Sequence, residues 1–245
     1  MSAVLAAATS VVLAALFALA GYAGGSVLLG AAALTVLVVA LGWASALRLP
    51  GRRGTTLVVL LTGWAALGVA WVNQNAARPL AAFAAVVAFA VLAAFAHELV
   101  RRDGRPRLVE AVTGTLSGQV ATVLAAGWLL LPGTAAGTSA VVVTAVAVGA
   151  ARLVTAFPLP ERSAGWVSLA GGAAAGSIAG VVLAPGNIQA CVVAAVAVAT
   201  VVAGLDRLLA AQVLKRSSLG LLAFAAAPVS SVGMVAYTVI RLLAG

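Results

Sequence analysis

The sequence predicts an all-α, polytopic transmembrane bundle of about nine spans, with the amino terminus in the cytoplasm and the carboxy terminus outside. Three observations predict it. Hydrophobic residues fill 64% of the 245 positions and charged residues only 8%, against about 45–50% and about 25% in soluble domains. The mean hydropathy is +1.20. The apolar residues fall into continuous runs of roughly 20, the length that crosses a bilayer as a helix, instead of the short alternating segments of a barrel. Disorder is excluded, because it requires low hydrophobicity and high charge. Nine spans use roughly 180 positions, so residues 1–245 are expected to form a single integral membrane domain with no soluble domain.

Each span follows from its punctuation. The first, residues 2–20, has no basic residue before it, since the first arginine is Arg48; it is expected to be a retained helix, not a cleaved signal. A turn at Gly21 to Gly25 leads to the second, 26–46, which ends at Arg48, Pro50, Arg52 and Arg53. The third, 55–72, is capped by Asn73-Gln74-Asn75 before Arg78-Pro79. The fourth, 80–100, ends at Arg101, Arg102, Arg105 and Arg107. The fifth, 108–131, stops at Pro132-Gly133, and the sixth, 138–157, at Pro158-Leu159-Pro160. The seventh, 166–183, stops at Pro185-Gly186-Asn187. The eighth covers 188–209 and the ninth 219–243. Proline and glycine break each run because one removes a helix donor and the other loosens the backbone.

The charges orient the bundle. Of 14 basic residues against 5 acids, only Arg78 and Arg241 fall in connections or ends on the outer side. The others, in alternate connections, mark the cytoplasmic face. Glu98, Asp103, Glu110, Glu161 and Asp206 lie there too. A net charge of +9 in a soluble protein would suggest nucleic acid. In short loops between apolar spans it points to anionic lipid headgroups, and no nucleic-acid partner is expected. Trp43, Trp71 and Trp166 near span ends fit an interfacial belt.

Ionisable and polar groups near the inner face are the candidate contacts. Arg107 and Glu110 are one helical turn apart and can pair; Thr113 and Ser117 continue that face as a polar stripe. The alternative is an acid neutralised locally at the interface. Arg152 follows the apolar stretch 141–151 and sits six residues before Pro158. It can hold a lipid phosphate, snorkel, or pair with Glu110 or Asp206. Asp206-Arg207 is read as a structural pair, His97-Glu98 as a snorkelling pair, and Lys215 and Arg216 as headgroup contacts. Gly114 and Gly118, and Gly172, Gly176 and Gly180, repeat every fourth residue. Such small-residue faces bring helices close, within the bundle or in a homodimer.

Enzyme templates are missing. One cysteine, Cys191, and one histidine cannot build a zinc site. The sequence has no G-x-S-x-G elbow, no phosphate-binding glycine loop and no close pair of acids for magnesium. No cofactor and no metal are expected.

The second half nevertheless resembles the phosphatidate cytidylyltransferase (CDP-diacylglycerol synthase) family, over roughly residues 108–245. The likeness lies in Trp166-Val167-Ser168-Leu169-Ala170-Gly171-Gly172, where the family has Trp-Glu-Gly and a glycine pair. It continues in Lys215-Arg216 and in Ala226-Ala227-Pro228-Val229 leading to Ile240-Arg241-Leu242-Leu243. The resemblance implies many spans and a cytoplasmic site. It departs at the chemistry. The family's Ser-Asp motif would fall near Ala150-Ala151-Arg152, its signature glutamate falls on Val167, and its Pro-Gly-His-Gly-Gly segment is absent. Kinship would therefore mean a pseudoenzyme that has lost its magnesium site.

The expectation is a non-catalytic, multi-pass protein of the bacterial inner membrane that contacts anionic headgroups from the cytoplasmic side. Two other classes stay open: a small-solute or lipid permease past Glu110, Thr113, Ser117 and Arg152, and a scaffold for a partner membrane protein.

Overall fold

The computed structural model describes residues 2–102, 104, 107–157, 160–213 and 217–244, without the side chains of 2, 3, 161 and 210–213. Lys215 and Arg216 lie outside the described residues. Ten α-helices follow in chain order: α1 (Ser2–Ala23), α2 (Gly25–Ala46), α3 (Arg52–Asn73), α4 (Phe83–Val100), α5 (Leu108–Val123), the short α6 (Gly127–Leu130), α7 (Gly137–Val154), α8 (Glu161–Leu183), α9 (Ile188–Val213) and α10 (Ser218–Ala244). Two 3-10 turns, Leu124–Ala126 and Leu131–Gly133, join α5 and α6 into one span, Leu108–Gly133. Among the described residues nine helical segments are long and apolar enough to cross a membrane, and none is a strand. The chain is a multi-pass, all-α membrane protein.

Several ends differ from the sequence expectation. A single residue, Gly24, separates α1 from α2, because its φ of +111° turns the chain at once. Gly51, at φ +70°, does the same before α3, which therefore begins at Arg52. Pro79 is followed by tight turns, with Phe83 N–H donating to the Leu80 carbonyl at 3.0 Å, so α4 starts three residues later than expected. The eighth and ninth helices start or end beyond the apolar core, since a helix satisfies its own backbone in the headgroup layer as well.

Helices α2 to α5 form one group; α1 and α7 to α9 form another, and α10 packs against both. Lipid gives no hydrophobic drive between helices, so close packing of small residues holds them together. Gly176 faces α7 and α9: a side-chain carbon there would sit 2.7 Å from the Cβ atoms of Ala147 and Ala195. Gly172 meets Ala151 and Ala199, and Gly180 meets Cys191. This glycine face is thus occupied inside the bundle. Gly114 and Gly118 open a slot on α5 for Leu49 and for the Trp43 indole. Trp43 is consequently buried, donating to the Gly114 carbonyl at 2.8 Å; it is not a belt residue. Trp71 and Trp166 are exposed.

At the centre, Trp128 is fully buried and stacks on Phe17 with ring centroids 4.1 Å apart. Pro228 lies inside α10, where the missing N–H and the bulk of the ring loosen the backbone ladder. Side chains use the neighbouring carbonyls. Trp128 Nε1 donates to Val229 at 2.9 Å and the Ser10 hydroxyl to Ala225 at 2.7 Å.

Candidate functional site

The arginine-rich end of the bundle is built by two connections. Arg107 closes the α4–α5 connection with φ +56°, and Arg48 lies in the α2–α3 connection with φ +52°. Neither is glycine, so each backbone carries about 1–2 kcal/mol of steric cost. The Arg107 guanidinium ties them together by donating to the Arg48 carbonyl at 3.1 Å. The same group donates through Nε to Glu110 Oε2 at 2.5 Å. Both side chains of this ion pair are about half exposed. Thr113 and Ser117 turn back on their own helix, donating to the Val109 carbonyl at 2.7 Å and the Gly114 carbonyl at 2.9 Å. Their hydroxyls are already satisfied.

Beside that pair, α4 and α5 part to leave a cleft of about 260 Å³. Its walls are mostly apolar: Phe95 and Leu99 of α4, and Leu108, Val109 and Val112 of α5, with Glu98 and Thr113 among the lining residues. Arg48, Arg52, Arg53, Arg102 and Arg107 are exposed at this end. Glu98 does not snorkel as the sequence suggests. It is 2% exposed and accepts from Arg101 Nη1 at 2.5 Å, while His97 Nε2 lies 3.6 Å from its other oxygen. The reason is local: Gly51 and Gly54 leave room for the His97 ring and the Arg101 side chain against α3.

A second ionic site lies inside the bundle. Arg152 of α7 pairs through Nη1 with Asp206 Oδ1 of α9, and its Nε donates to Ser10 Oγ of α1 at 3.0 Å. Its side chain is 8% exposed, Asp206 is 18% exposed, and Ser10 is fully buried. Asp206 Oδ2 is buried without a hydrogen-bond partner among the described residues. Asp206 therefore pairs across helices and not with its neighbour Arg207, whose guanidinium carbon lies 5.3 Å from the Trp166 ring centroid. The helical period explains this: adjacent residues point about 100° apart, so only one can face α7. Glu110 and Arg152 sit in different helix groups and do not meet in an ion pair among the described residues.

Sequence reasoning missed a polar seam between α3, α4 and α5. Gln119 is 1% exposed and donates through Nε2 to Thr62 Oγ1 and to the Ala90 carbonyl, both at 2.9 Å. Thr55 and Thr115 approach to 3.5 Å, and Thr122 donates to the Val59 carbonyl at 3.3 Å. The signal was present as Thr115, Gln119 and Thr122 at i, i+4 and i+7, one face of a helix. Among the described residues no three His, Cys, Asp or Glu side chains come together as a metal site. Compared with known protein families, curated proteins and solved structures, the chain matches none.

Proposed function

We propose that this chain is a non-catalytic, multi-pass protein of the bacterial plasma membrane that binds anionic phospholipid at its cytoplasmic face. The observation that carries this reading is the apolar α4–α5 cleft beside exposed arginines. An acyl chain suits a wall of Phe95, Leu99, Leu108 and Val112, because each buried CH₂ contributes about 0.8 kcal/mol. A phosphate suits exposed Arg102, since guanidinium offers a planar fork of donors; Arg107 is engaged by Glu110 and the Arg48 carbonyl. Arg152, the arginine favoured by sequence for a headgroup, is spent on Asp206, so the lipid contact moves to the α4–α5 connection. On the resemblance to cytidylyltransferases, the chain is a pseudoenzyme of that scaffold. Magnesium, CTP and phosphatidic acid should then yield no CDP-diacylglycerol above background.

The test of binding is native mass spectrometry of the full chain released from vesicles of phosphatidylglycerol and phosphatidylcholine. Wild type should retain phosphatidylglycerol preferentially. Val112→Trp, which fills the cleft, and Arg102→Gln should lose it. Equal retention in all three would overturn the reading.

One observation favours a permease as the second reading: the Arg152–Asp206 pair lies within spans and leaves Asp206 Oδ2 without a partner among the described residues. Ionisable groups in such positions often line ion or proton paths. Proton flux across proteoliposomes that Asp206→Asn abolishes would support it over lipid binding alone.

A further inference from the structure

We propose that the opposite end of the bundle carries an oxyanion site, formed by Tyr237 and Arg241 of α10 with Asn75 of the α3–α4 connection. A separate cleft of about 250 Å³ opens there, lined by Gln74, Asn75, Pro79, Leu130, Tyr237 and Arg241 among others. Tyr237 is 4% exposed, yet its hydroxyl makes no hydrogen bond among the described residues. Tyr237 lines the cleft, so its hydroxyl is free to bond whatever enters there. Arg241 makes no ion pair among the described residues. The chain's acids (Glu98, Asp103, Glu110, Glu161 and Asp206) all belong to the other end by their place in the sequence. A basic residue in the last turn of α10 is favoured by the helix dipole, but the dipole gives no reason for an unspent tyrosine hydroxyl on the cleft wall beside exposed Arg241.

The remaining groups narrow the ligand. Gln74 spends its amide nitrogen on the Trp71 carbonyl at 2.9 Å, and Asn73 spends its own on Val69 at 2.9 Å. Asn75, which is exposed, makes no such bond among the described residues, and its amide is left to the cleft. The site thus offers the donor fork of an arginine, a phenol and an amide, with one positive charge and no carboxylate. Its partner must be an anion rich in acceptors, and arginine matches carboxylate and phosphate oxygens in pairs. The open cleft of about 250 Å³ leaves room for a headgroup or a short-chain acid. The chemistry is that of a carboxylate or phosphate group, carried by a small solute or by a phospholipid of that leaflet. It does not rest on lipid binding at the arginine-rich end.

The experiment uses the full chain in a neutral maltoside detergent, titrated calorimetrically with inorganic phosphate and with acetate. A parallel arm counts phosphatidylglycerol molecules retained in native mass spectra. Arg241→Gln should weaken binding by at least about tenfold and Tyr237→Phe by about fivefold, the losses expected for a charged and a neutral hydrogen bond. Arg241→Lys should keep part of the affinity. Binding of phosphate or acetate that Arg241→Gln abolishes supports the site and names a solute. One retained phosphatidylglycerol fewer in Arg241→Gln, without phosphate or acetate binding, supports it and names a lipid. Occupancy of every probe that is equal in wild type, Arg241→Gln and Tyr237→Phe would overturn it. Should Arg241→Gln fail to fold, Tyr237→Phe decides, because it removes one oxygen from an existing cleft.

Discussion

Arg152 of α7 and Asp206 of α9 stand 54 residues apart in sequence and meet as an ion pair inside the bundle, braced by Ser10 of α1. Ser10 in turn donates to Ala225, three residues before Pro228. Three helices therefore meet at one guanidinium and the Ser10 hydroxyl joins the fourth, α10, at a level about 10 Å inside the end of α9 by the rise of about 1.5 Å per residue.

Breaking that pair should be costly, while replacing it should not. Removing one member of a buried pair leaves an uncompensated charge, worth about 3–5 kcal/mol. Arg152→Leu and Asp206→Asn should each lower thermal stability in detergent by that order. The double variant Arg152→Leu/Asp206→Leu should recover most of the loss, because apolar replacements of buried pairs are often neutral. A double variant no more stable than the worse single would show that the ionic contact is not the source of the effect.

The glycine face of α8 should tolerate no added carbon. Gly176→Ala places its methyl 2.7 Å from Ala147 and Ala195, so α8 must move away, at about 1–3 kcal/mol for an overpacked core. Gly30, with open space around it, is the control: Gly30→Ala should be neutral or stabilise by up to about 1 kcal/mol. Equal melting temperatures for the two variants would contradict the packing described.

Gln119→Leu should cost little. Its bonds to Thr62 and Ala90 resemble interhelical contacts that average about 0.6 kcal/mol and reach about 1.7 kcal/mol. Leucine also removes the buried Oε1, which has no hydrogen-bond partner among the described residues. Unfolding titration in mixed detergent would measure the difference, and a loss above about 3 kcal/mol would mark Gln119 as more than helix glue.

Topology can be read directly. With nine spans, a reporter fused after Gly245 should lie outside the cell and one inserted near Gly104 inside. Signals from both fusions on the same side would refute either the count or the orientation.

Span number, helix class and a basic face were all legible in the sequence, because each depends on local composition. A run of apolar residues must become a helix in lipid whatever its neighbours do, and arginines between runs mark a side without any packing. The Arg107–Glu110 pair was legible for the same reason, being one turn apart on one helix. The partners of Arg152, Glu98 and Trp43 were not. Asp206 lay open among several options until α8 brought α7 and α9 together. Glu98 looked interfacial until Gly51 and Gly54 made room for His97 and Arg101, and Trp43 looked like a belt residue until Gly114 and Gly118 opened its slot. In a chain where 64% of residues are hydrophobic, every helix face is apolar enough to meet lipid or another helix. Which face turns inward was decided only by where small residues let two backbones approach, and that is a property of helix pairs.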